Sequence, residues 1–257
     1  MAKNDMVLKS SVTILMICIA ALNIGQCEIR NGYEPEIYGA RESLKALIAL
    51  LNEDTEISIG MKYTMRTRIN KLEEFINYYE LTKELLSQFQ LVAPELYNEI
   101  EETRDRAGLP VTIFVRFVPV EKMKDGMPGT TNVDCVDGDR NTYQSEYGSH
   151  SVSIRIALTT RSQMLLAHEF GHAKYQIANL ATYLEYYTTH YMRSNFDSNY
   201  IGHNSDDPSG RMATEYEMRF RKKYLEYVSF SMSSPIKMES PPALMQTIRK
   251  RRKSESL

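Results

Sequence analysis

Apolar residues recur at helical spacing through the first half of the chain. Ala40, Leu44, Leu47, Ile48 and Leu51 predict a helix over Ile37–Leu51 that stops at the polar Asn52-Glu53-Asp54. A longer helical region runs from about Lys62 to Arg106, with Ile69, Leu72, Phe75, Ile76, Leu81, Leu85 and Leu86 on its apolar faces. Pro94 divides it, because proline lacks the N–H that a helix interior needs, and Ala107-Gly108 ends it. Such faces predict core packing. The period then drops to two. Val111–Val118 reads as a strand, and Ser151–Leu158 alternates apolar and polar as a half-buried strand does. Between them, from Val120 to His150, lies a stretch with turn dipeptides Asp125-Gly126 and Pro128-Gly129 and no clear period, which predicts loops rimming a cleft.

Thr159 and Thr160 stand as N-cap candidates for a helix carrying Met164, Leu165, Ala167, Ala173 and Ile177. Farther on, Asp207-Pro208 predicts an N-cap followed by proline at the first helical position, opening a helix that runs to about Val228. The sum is an α+β, helix-rich domain over residues 28–228 with a small mixed sheet. A helical part covers about 37–107 and a second part about 111–228, followed by a polar, basic tail over 229–257 that includes Arg249–Lys253.

The beginning of the chain changes the setting. Lys3 and Lys9 precede an apolar run, Val12–Leu22, too short to span a bilayer comfortably but suited to an export signal over residues 1–26. Cleavage near Gly25 or Gln26 is one outcome; a lipid anchor at Cys27 is the other, although Gln26 is a poor residue to precede it. Either places the protein outside the cytoplasm: periplasmic, secreted or on the cell surface. With 257 residues, 42% of them hydrophobic, the chain can bury one sizeable core. Its net charge of −2 calls for no polyanionic partner, and nucleic-acid binding conflicts with export. Cys18 leaves with the signal, so Cys27 and Cys135 either pair or stay as thiols, and no cysteine spacing suits a structural zinc. Asp137, Asp139 and Asn141 echo a calcium loop, but the required glycine and terminal glutamate are missing, so a polar turn is expected there.

The candidate chemistry sits in His168-Glu169-Phe170-Gly171-His172, an HExxH motif. Residues four apart share a helix face, so two imidazoles can close on one ion. Glu169 projects about 100° away, beside the ion, where it can take a proton from a metal-bound water. The bland alternative is an amphipathic helix with two surface histidines. Gly171, a poor helix former, admits a close neighbour, whether backbone or substrate.

A catalytic zinc needs a third protein ligand. Candidates downstream are His190, His203, Asp206, Asp207, Glu215 and Glu217. At 100° per residue, Ala213, Tyr216, Phe220, Tyr224, Tyr227 and Val228 form one arc that includes Glu217. Glu215 falls opposite, with Arg219, Lys222 and Glu226. A carboxylate within an apolar stripe is costly unless paired or bound to metal, which favours Glu217; an ion pair with Arg221 is its competing explanation. His203, in a polar loop, is the alternative ligand or a donor to the oxyanion formed during attack, and Glu215 is the weaker alternative. The many tyrosines about this region, Tyr175 among them, are expected to pack with their hydroxyls in water.

From Ser151 to about Val228 the chain resembles the zincin metallopeptidases, specifically the gluzincin type, in which a downstream glutamate completes the site. The resemblance implies an active-site helix beside a strand able to pair with an extended substrate, then a second helix bearing the glutamate. It also implies His168 and His172 as zinc ligands with Glu217, and Glu169 as base. Many gluzincins have an acid four residues after the ligand glutamate. Here Arg219 follows Glu215 and Arg221 follows Glu217, so support for a ligand histidine must come from elsewhere. The expectation is one Zn²⁺ and a peptide or protein substrate. The alternatives are a binding module that keeps the metal without turnover and a non-peptide zinc hydrolase or amidase.

Overall fold

The computed structural model describes residues 27–53, 57–104, 111–123, 128–134, 150–159, 161–179 and 207–233. Strand β1 (Cys27–Asn31) leads into helices α1 (Glu34–Glu53), α2 (Ile59–Val92) and α3 (Pro94–Glu101). Strand β2 (Val111–Val118), a short 3-10 turn (Val120–Lys122), β3 (Gly129–Asp134) and β4 (His150–Ala157) follow, then helices α4 (Ser162–Ala178) and α5 (Pro208–Ser233). The class is α+β with a small mixed sheet, in the order β1-β2-β4-β3. The first three of these strands run parallel; β3 pairs antiparallel with β4 along the edge.

One sheet face carries the core. Val111, Ile113, Val115 and Phe117 of β2 are buried, and their neighbours are half-exposed. Parallel strands sandwiched between helices usually read as continuous apolar runs; alternation here reflects helices on one side only among the described residues. Phe89 of α2 joins the helices: it meets Phe170 of α4 edge-on at 5.1 Å and stacks on Phe220 of α5 at 4.6 Å. The sheet is tied to α2 by polar bonds as well, since Asn31 Nδ2 donates to the Tyr79 carbonyl (2.8 Å) and the Phe117 N–H to Thr82 Oγ1 (3.0 Å).

Several boundaries differ from expectation. Pro94 does divide the long helical region, but α2 begins earlier, behind Ser58, whose Oγ accepts from the Met61 N–H at 3.3 Å. The stretch after Val120 is not all loop, because it supplies β3. Strand β1 is an element that the apolar pattern does not announce. Helix α5 continues five residues beyond Val228, into what the sequence assigns to the tail, as far as Ser233. Nor is the α1 face core: Ile37, Ala40, Leu44, Leu47 and Leu51 are only half-buried, and Ile48 is exposed. Their alternating three- and four-residue spacing is a narrow seam, matched by half-buried Met65, Ile69, Leu72 and Ile76 on α2. Arg41 of α1 bonds Glu80 of α2 at 2.6 Å, so the two helices lie antiparallel as an arm.

Cys27 is a free cysteine, buried at the start of β1, and its thiol is pushed up to about 12 by burial and by Glu101 and Glu28. The expected signal, Cys18, Cys135, Asp137–Asn141 and the basic run lie outside the described residues.

Helix α3, though short, clamps two others. Its Glu99 accepts from both guanidinium nitrogens of Arg219, from Lys174 Nζ (3.1 Å) and from the Tyr216 hydroxyl (2.8 Å). Arg219, then Tyr216 and Lys174, hold the Glu99 carboxyl down at about 2 against the opposing effect of partial burial. A carboxyl lowered in the folded state stabilises above its unfolded pKa, and that stabilisation fades as pH falls through the folded one. The melting-temperature gap between wild type and Glu99→Gln should therefore be fullest at neutral pH and close as pH falls from 4.5 towards about 2. A gap constant over that range would show that the cluster contributes nothing through charge.

Candidate metal centre

The site is made where α4 crosses α5. Strand β4 ends at Ala157, and the turn into α4 is built by Ser162, whose Oγ accepts from the Thr159 N–H at 2.9 Å. Thr159 does not cap the helix as expected. The N-cap is Arg161, with no side-chain bond, while Thr159 Oγ1 takes the Arg161 N–H at 3.2 Å; Thr160 lies outside the described residues. Leu166, Ala167, Phe170, Ala173 and Ile177 then bury one side of α4, and Met164 and Leu165 are half-buried against the same core.

Gly171 explains how close the second helix comes. A Cβ there would lie 2.5 Å from Ala213 Cα and 2.6 Å from the Met212 carbonyl oxygen, both backbone atoms of α5. The close neighbour that this glycine admits is backbone. Across the junction His172 Nδ1 meets Ser209 Oγ at 2.8 Å, and His168 Nδ1 meets Glu217 Oε2 at 3.2 Å. The two imidazoles sit with centroids 4.9 Å apart. Ser209 is fixed in turn, since its N–H donates to Asp207 Oδ1 at 3.0 Å. Asp207 thus caps α5 as the sequence predicts, which accounts for this carboxylate without a ligand role. Support for one histidine comes from Ser209, which nothing in the spacing of the motif points to.

The helix-face argument separates the two glutamates. Glu215 is exposed and lies 3.7 Å from Arg219. Glu217 turns towards α4, and its partner is His168 rather than Arg221, which is exposed. Arg219 departs from the solvated face assigned to it: it reaches Glu99, and its guanidinium lies 5.3 Å from the Tyr216 ring centroid.

Glu169 points the other way, to β3. It is 4% exposed, and Thr131 Oγ1 lies 2.5 Å from its Oε2. Burial pushes the carboxyl up to about 7, with the Thr131 bond opposing the shift. A Cβ on Gly129 would come within 2.5 Å of Glu169 Oε1, so β3 leaves room for the carboxylate by omitting a side chain there. Neither residue was legible as functional, since Gly129 and Thr131 sit in a segment without apolar period. The strand expected to pair with substrate also changes. β4 is hydrogen-bonded on both sides, and the edge beside the motif helix is β3.

Two imidazoles and a carboxylate are donors that zinc accepts. The donor types fit, although among the described residues no three histidine, cysteine, aspartate or glutamate side chains are already gathered as a metal-holding group. His190, His203 and Asp206 lie outside the described residues. No family model matches the chain, and no curated protein or solved structure matches it either.

Replacing Gly171 with Ala should force α4 and α5 apart. The expected loss is about 1–3 kcal/mol, the usual cost of overpacking, read from urea unfolding. An unchanged midpoint would mean that the helices are not in backbone contact at this position.

Proposed function

We propose that this protein is a zinc-dependent peptidase, and that the signal-like start of the chain exports it. The observation that carries the reading is the division of the motif between two neighbours: both histidines face α5 and meet Ser209 and Glu217, while the glutamate between them is buried against β3. Two surface histidines on an ordinary amphipathic helix would have no reason to be oriented this way.

His168, His172 and Glu217 are the groups that would hold the ion. Zinc bound there supplies a Lewis acid for the scissile carbonyl and a water acidic enough to ionise near neutral pH. The protein's own residues do the rest. Glu169 Oε1 and Oε2 are the proton acceptors, taking the proton of the attacking water and returning it to the leaving amine. Thr131 fixes one carboxylate oxygen by donating to it, so the base does not swing away from the motif. Ser209 holds the His172 ring at Nδ1, which leaves Nε2 as its metal-facing nitrogen. The edge of β3, running past Glu169, offers backbone groups to which an extended peptide can add as a further strand.

Glu169→Gln should retain zinc while losing chelator-sensitive cleavage of a peptide library, by at least about a hundredfold for loss of a general base. Cleavage at the wild-type rate in that variant would overturn the mechanism. Zinc-loaded wild-type protein that cleaves nothing would favour the binding-module alternative. Ser209→Ala should weaken zinc affinity about 10–100-fold, as loss of a residue that orients a ligand histidine does, measured by competition with a chromogenic chelator.

A further inference from the structure

The sheet face turned away from the helices carries a second, unrelated arrangement. Parallel register places Arg116 of β2 directly beside Arg155 of β4. Phe114 and Ser153 are the next matched pair on the same face. Like charges side by side on neighbouring strands repel, so such a pair is unfavourable unless an anion lies between them. Arg116 is anchored. Its stem crosses Gly32, where a Cβ would lie 2.5 Å from Arg116 Cγ, and its guanidinium stands 5.2 Å from the Tyr33 ring centroid. Its carboxylate neighbour, Glu36, is 3.6 Å away and 60% exposed, a loose pair. Arg155 is exposed and has no ion pair among the described residues. Between the two arginines opens a cavity of ≈ 320 Å³ lined by Gly32, Pro35, Phe114, Arg116, Ser153, Ile154 and Arg155.

The geometry points to a binding site for a phosphate-class dianion in this cavity, held between Arg116 and Arg155. Two guanidiniums offer planar forks of N–H donors that match the oxygens of a phosphate, which would displace the exposed Glu36 from Arg116 and bridge to Arg155. A carboxylate has two oxygens, too few to engage both forks, and only one charge with which to compete with Glu36. The apolar wall of Phe114 and Pro35 suits the organic part of a small phosphate ester better than a bare ion in water. The site is apart from the proposed metal centre: the Arg155 side chain is on the sheet face opposite that of Ile156, which is buried in the core with residues of α4.

Thermal unfolding of the full chain tests this, with inorganic phosphate, acetate and chloride compared at equal ionic strength. Wild type should gain about 4 °C once phosphate exceeds its Kd about tenfold, and acetate should match chloride. Arg155→Gln should lose the phosphate response and, with repulsion removed, melt no lower than wild type in chloride. Arg116→Lys keeps the charge without the fork and should weaken phosphate binding at least about tenfold. Three results overturn the proposal: phosphate acting no better than chloride, an undiminished phosphate response in Arg155→Gln, or acetate equalling phosphate. A change in sedimenting mass in Arg155→Gln would also overturn it, because the face would then be a protein interface.

Discussion

The candidate site depends on one missing methyl group. Gly171 lets the backbone of α5 lie against α4, and that contact sets every distance that follows. With the helices this close, short side chains suffice: a serine reaches one histidine and a glutamate the other. Glycine within a helix costs about 1 kcal/mol relative to alanine, and the close packing offsets it. The Phe89–Phe170–Phe220 contacts and the Glu99 cluster fix the same pair of helices from the core and from the far side. The crossing is therefore held at several points, and His168, His172, Ser209 and Glu217 need contribute little to keeping it together.

The two halves of the motif experience different surroundings. The histidines stand at the junction of two helices, close to polar partners. The glutamate lies under an edge strand that yields space at Gly129 and gives a hydroxyl at Thr131. A buried carboxyl with one hydrogen bond is easier to protonate than one in water, and its position is over-determined. Such an arrangement suits the proton-transfer role proposed for Glu169.

How much was legible followed from how local each cause was. HExxH, the cap at Asp207 and the choice of Glu217 over Glu215 all follow from spacing along a single helix, so the sequence carries them. Gly171 was marked as a close approach, though not what approached. Contacts made across long separations were invisible. Nothing near Arg219 announces Glu99, 120 positions away, so a helix-face argument could only place that arginine in solvent. β3 escaped notice because its worth lies in a glycine and a threonine rather than in alternating apolar residues. β1 alternates for only five residues, too short a run to stand out beside the apolar stretch before it.

The arm of α1 and α2 lies between two strands that must find each other. Tyr33 and Phe117, joined by a side-chain to backbone bond, are 84 positions apart. Closing so long a flexible loop is entropically slow, and parallel pairing returns nothing until it is complete. An antiparallel helix pair with its own seam forms through local contacts, and once zipped it folds the intervening chain back on itself. The search from β1 to β2 then spans a much shorter effective tether. The outer part of the arm, α1 and the first half of α2, adds little to the core and is, in kinetic terms, a device for bringing the strands of the sheet within reach.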